Sequence, residues 1–143
     1  MLRRMRRTVP VAVIALLVAG LFLSRRISGP EPAPTVNWDA FMIPAEAAER
    51  YIGYEAVVCG TVAASTFASG VGGEPTFLNF GRPHPEQDFD AVIWGRYRDR
   101  FDSAPDRLYD GAAVCVAGEV VEHEGVPRIE VERPAQIRIM RAG

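Results

Sequence analysis

The chain has 143 residues, with 16 basic and 18 acidic side chains, two histidines and a formal charge of -2. Six arginines precede residue 27 and every acid lies from Glu31 onward, so residues 31 to 143 carry ten arginines against 18 acids, about -8. That sign opposes extensive neutralisation of a phosphate backbone, the absence of lysine excludes a Walker-type phosphate loop, and two cysteines without a histidine pattern cannot fill a tetrahedral zinc site.

Val9 to Leu23 is a run of fifteen residues without a charge, preceded by four arginines and followed by Ser24, Arg25 and Arg26. At about 1.5 Å per residue it is shorter than a roughly 30 Å hydrocarbon core, which on length alone favours a cleaved signal. No A-x-A site follows it, however, and arginines at both ends can snorkel to lengthen the span. Residues 1–28 are therefore read as a signal anchor or signal peptide, crossing the bacterial inner membrane once at about 9–23 with the amino terminus in the cytoplasm. The remainder is expected in the periplasm or outside the cell, or secreted after cleavage. GPEPAPT, Gly29 to Thr35, opens a proline-rich linker over 29–42.

Pro44 to Ile52 is expected as a short helix, with Pro44 at its first position and Gly53 as its stop. Tyr54 to Ala64 alternates as a first strand, and the Gly- and Ser-rich stretch Ser65 to Pro75 reads as a mobile loop. TFLNFG, Thr76 to Gly81, is a second strand, and FDAVIW, Phe89 to Trp94, a third. A short helix around Tyr97 to Phe101 follows. Ala112 to Glu122 is a fourth strand, HEG at 123 to 125 a hairpin turn, Pro127 to Glu132 a fifth strand, and AQIRIM, Ala135 to Met140, closes the chain. The fold class is then all-β: residues 43–143 form a single five-to-six-stranded OB-type Greek-key barrel with short helices, after an N-terminal transmembrane or signal helix.

The spacing of CGTV, TFLNFG, an F-x-A-V-I strand, G-x-x-V-C-V-x-G-E-V, G-V-P-R-I and P-A-Q-I resembles small bacterial OB-fold proteins over Ile43 to Ile139. These are described as nucleic-acid-binding-like and are distantly similar to the thermonuclease barrel. The resemblance implies binding of single-stranded nucleic acid, not catalysis. The nuclease needs calcium-binding aspartates, a general-base glutamate and two arginines, and no D-G-D-T-like element occurs here. No G-x-S-x-G or plausible triad is present either, so no enzyme activity, cofactor or metal is expected.

If Val58, Val62, Val114, Val116 and Val120 face inward, Cys59 and Cys115 share the opposite face. As neighbours on antiparallel strands of an exported barrel they are expected to form a disulfide, with two separately buried thiols as the alternative. On the second and third strands, Phe77, Asn79, Trp94 and Tyr97, with Arg82, His84, Arg96 and Arg98 at the margin, form a candidate ligand surface for rings and polar groups. Core packing of the aromatics and a turn-closing role for Asn79 compete with that reading. His84 and His123 read as solvated loop residues. The expected function is a membrane-anchored, extracytoplasmic OB-fold binding module with a single-stranded nucleic acid as partner, or alternatively a protein-interaction or envelope-assembly module.

Overall fold

The computed structural model describes residues 35–141. The expected apolar segment at 9–23 and the Gly29 to Pro34 part of the linker lie outside the described residues. Among the described residues no helix is long and apolar enough to cross a membrane.

Valines and aromatics in alternating runs, separated by glycine turns, form eight strands with only short helical turns between them. β1 (Phe41–Pro44) is followed by a 3-10 helix at Ala45–Tyr51, and then by the 13-residue strand β2 (Glu55–Phe67). β3 (Thr76–Phe80) and β4 (Phe89–Ile93) come next, then α1 (Gly95–Arg98) and α2 (Pro105–Leu108). β5 (Ala113–Glu119), β6 (Val121–His123), β7 (Val126–Glu130), a 3-10 turn at Pro134–Gln136 and β8 (Ile137–Ile139) complete the order. The strands form one mixed, barrel-like sheet in the order β6-β7-β4-β3-β2-β5-β8, with β1 parallel to β2. Most pairs are antiparallel; β4 and β7 run parallel.

The inward face follows the two-residue period. Val58 and Val62 of β2, Leu78 and Phe80 of β3, Phe89, Ala91 and Ile93 of β4, Val114 and Val116 of β5, and Ile129 of β7 bury in one core under the 3-10 helix. Phe80 and Phe89 meet edge to face at 5.1 Å. Gly118 makes room for this packing, because a Cβ there would come 2.8 Å from Cγ2 of Ile129. On the opposite face, Cys59 and Cys115 stand directly across from each other in the β2/β5 register and are joined as a disulfide. Val36, Trp38 and Ala40, inside the stretch read as linker, pack around that disulfide with Val57 and Ala117. Arg138 lies 3.7 Å over the Trp38 ring.

Several boundaries differ from the sequence reading for identifiable reasons. The first helix is 3-10 rather than α, and Pro44 is its extended N-cap residue; Gly53 stops it at φ 87°, a conformation glycine adopts without strain. β2 runs on to Phe67, into the expected mobile loop, because β3 continues to pair with it, and the remaining turn is tied by Ala68 N–H to Pro75 carbonyl and Gly95 N–H to Gly73 carbonyl bonds. A bulge between Val62 and Ala64 reverses the parity of β2, which alternation alone does not reveal. The fourth strand breaks at Val120, whose backbone bonds Gly53 and Tyr54, so β6 leaves β5 and pairs with β7 through a tight turn at Glu124 and Gly125. β1 and α2 went unanticipated; β1 exposes Phe41 and Met42 and exists through its pairing with β2. Among the described residues there are eight strands rather than five or six, and the strand path is open at β6 and β8.

The disulfide closes a sequence separation of 56 residues, which in the chain-entropy model contributes roughly 4 kcal/mol. Alkylation of the unreduced protein should therefore add no label, and alkylation after denaturation and reduction should add two. Cys115→Ala should lower the unfolding free energy by up to about 4 kcal/mol in urea titrations.

Candidate functional site

On β3, β4 and β7 the face of the sheet opposite the core buries polar side chains. Phe77 and Asn79 on β3, Asp90 on β4 and Arg128 on β7 all point to this side, and the register places Asn79 beside Asp90 and Asp90 beside Arg128. The bulge in β2 brings Thr66 opposite Phe77 on the same face. The Arg82 to Asp88 loop and the β6/β7 hairpin rise on either side. Between them lies a groove of about 430 Å³, with Phe77, Asn79, Asp90 and Arg128 among its lining and His84, Gln87 and His123 at its walls.

Charge explains how the groove is held. Asp90 and Arg128 are nearly sealed from solvent, at 4% and 7% side-chain exposure, where an unpaired charge would be costly. The Asp90 carboxylate is satisfied by Asn79, whose Nδ2 donates to Oδ1 at 2.8 Å, and by Gln87, whose Nε2 donates to Oδ2 at 3.1 Å. Arg128 Nη2 approaches the same Oδ2 at 3.6 Å, a charge contact too long for a hydrogen bond. Its guanidinium also lies 5.8 Å from the Phe77 ring centre. Two buried polar atoms here have no hydrogen-bond partner in the protein: Nε of Arg128, a donor, and Oε1 of Gln87, an acceptor. Buried polar groups are ordinarily paired, so this face holds unfilled hydrogen-bonding capacity.

Of the residues expected at a ligand surface, Phe77, Asn79 and His84 meet in this groove. Asn79 bonds Asp90 across the strands and does not close a turn through backbone amides. The others are placed elsewhere. Arg82 is paired with Asp88 at 2.8 Å. Trp94 lies against Gly73 of the β2/β3 turn, where a Cβ would come 3.0 Å from the indole. Arg96 and Arg100 flank the Tyr97 ring at 4.6 and 4.5 Å. Arg98 covers the Phe67 ring at 3.9 Å and donates to Thr76 and Asp106 at 2.6 Å each.

The sequence reading missed Gln87, Asp90 and Arg128. A signal was present for two of them: Asp90 interrupts the apolar run FDAVI, and Arg128 interrupts VPRIE. Charged residues inside otherwise apolar strands mark a face that is buried for a reason other than core packing. Among the described residues no group of three or more His, Cys, Asp or Glu side chains is arranged to hold a metal ion.

No family model matches the chain, and no curated protein matches it. One solved structure similar to it is a proposed aspartyl-tRNA synthetase from Leishmania major Friedlin, at 13% identity and a TM-score of 0.44, over 78% of this chain and 22% of that one.

Removing the carboxylate should expose the cost of the buried guanidinium. Asp90→Ala should lower stability by about 3–5 kcal/mol in denaturant titrations, the range for an orphaned buried charge. A second test concerns Asp106. Partial desolvation pushes its carboxyl up, but the hydrogen bond and charge of Arg98, with a backbone hydrogen bond, outweigh this and hold it below the ordinary 3.8. A lowered carboxyl contributes stability that is complete above its ordinary value and is lost as pH falls through the lowered one. The stabilities of wild type and Arg98→Met should therefore differ most above pH ~4 and converge in stronger acid, with the Asp106 titration moving up in the variant by NMR.

Proposed function

We propose that the chain is a non-catalytic binding module built on an OB-type barrel, anchored by residues 9–23 and displayed outside the cytoplasm, that takes single-stranded nucleic acid on the outer face of β3, β4 and β7. The barrel reading is supported by one long strand, β2, shared between β5 and β3, and by the parallel pairing of β7 on β4. The disulfide is consistent with an oxidising compartment.

The observation that carries the binding reading is the groove itself. It places an aromatic ring, Phe77, beside a buried guanidinium, Arg128, in a space of about 430 Å³, within the ordinary range of small-ligand sites. Unpaired bases bind to protein surfaces by stacking on such rings and by hydrogen bonds along their edges. Arg96 and Arg100, which form no ion pair among the described residues, offer cationic charge around Tyr97 for a backbone.

A protein partner is the second reading, and the charge favours it. Residues 35 to 143 carry ten arginines against 17 acids, and three of those arginines are committed to Asp88, Asp106 and Asp90. Phosphate contacts are therefore few, and affinity for a strand depends on its bases more than its backbone.

Fluorescence anisotropy with labelled oligo(dT), on the detergent-solubilised full chain, tests this. Binding should weaken as salt rises, with a shallow slope, and Phe77→Ala should weaken it about 5- to 150-fold, the range for one stacked base. Absence of binding even at low salt would leave the protein-partner reading.

A further inference from the structure

We infer that the groove is a base-edge subsite: it recognises an uncharged ring carrying a hydrogen-bond acceptor and a donor on one edge, and does not recognise the phosphate. This rests on the nucleic-acid reading above and names what that site would select.

The charge balance comes first. Arg128 is sealed into the face with Asp90 as its counter-charge, and Asp90 is itself bonded by Asn79 and Gln87. The pair is therefore neutral as it stands. An anion entering the groove would leave a net negative charge beside Asp90, with Glu124 also in the lining. A phosphate or carboxylate is disfavoured there by the same arithmetic that disfavours any uncompensated buried charge.

Hydrogen bonding supplies the rest of the specification. Arg128 Nε needs an acceptor and Gln87 Oε1 needs a donor. Both side chains converge on one oxygen, Oδ2 of Asp90, at 3.6 and 3.1 Å, so the two unmet atoms belong to neighbouring groups. A ligand that satisfies both carries an acceptor and a donor, which a flat ring can offer on one edge. Thymine and uracil do so, with a ring carbonyl next to a ring N–H. An open-chain secondary amide in the usual trans form points its carbonyl and N–H in opposite directions and cannot meet both from one edge. Phe77, beside Arg128 on the floor, supplies a ring face for a flat ligand.

The inference is tested by calorimetric titration of the full chain with thymidine, N3-methylthymidine, thymidine 5′-monophosphate and N-methylacetamide, alongside oligo(dT) and N3-methylated oligo(dT). Thymidine and its monophosphate should bind alike. N3-methylation, which removes the donor, should weaken binding about 5- to 150-fold, the cost of leaving a buried polar atom unpaired. In Gln87→Met, a half-exposed position whose fold is verified by circular dichroism because Gln87 also donates to Asp90, thymidine should bind no better than its N3-methyl derivative. Oligo(dT) binding that is indifferent to N3-methylation would overturn the base-edge inference and leave the nucleic-acid reading standing; no binding by any thymine ligand or strand would overturn both. A strong preference for the monophosphate, or binding of N-methylacetamide in place of thymidine, would also overturn it.

Discussion

The structure depends on β2 serving three neighbours at once. Its first half lies between β1 and β5 and its second half pairs with β3, so one 13-residue strand joins the two parts of the sheet. Near the point where β2 changes partners, the bulge between Val62 and Ala64 reverses the direction in which its side chains point relative to the core. Before the bulge Val58 and Val62 fill the core; after it, Thr66 turns outward to the groove, while Ser65 turns back to donate to the Asp106 carbonyl in α2. The disulfide sits on the first half, where β2 and β5 are paired over seven residues, and it fixes that register covalently.

With the core filled by valines and phenylalanines on one side, the opposite face is free to bury something else. At the β2/β5 end it buries the disulfide beneath Trp38 and its neighbours, a closing layer drawn from residues that precede the first strand. At the β3/β4/β7 end it buries Asp90 and Arg128. A buried ion pair is weak evidence for stability, since well-packed apolar residues could do as well. Its value here is positional: Asp90 holds Gln87 and Asn79 in fixed orientations, while Arg128 Nε and Gln87 Oε1 stay buried without a partner.

Gln136 shows the same economy at a purely structural site. Its Oε1 accepts the backbone N–H groups of Glu132 and Arg133, while its Nε2 donates to the carbonyls of Ala117 and Glu130. One buried amide thus satisfies the chain where it leaves β7 and turns into β8, and every polar atom of the side chain is used. Gln87 differs in that its side-chain oxygen is buried without a partner.

The alternating valine runs around Cys59 and Cys115 were enough to assign strands and to place both sulfurs on one face, because side-chain direction in a strand repeats every two residues and needs no knowledge of partners; their pairing rested on the expected barrel neighbours, and the β2/β5 register decides it. The turn residues of H-E-G and the stop at Gly53 were legible for a similar reason, since positive φ is a local demand. Phe77 and Asn79 were likewise assigned to one face by parity. What parity could not supply was which other residues share that face. The bulge in β2, the break at Val120 that hands β6 to β7, and the parallel docking of β7 on β4 are all decided by hydrogen bonds between segments distant in sequence. Only those pairings bring Arg128 beside Asp90, carry Trp94 and Arg98 away to separate neighbours, and open the groove, because a charged residue in an apolar strand acquires its meaning from the strand next to it.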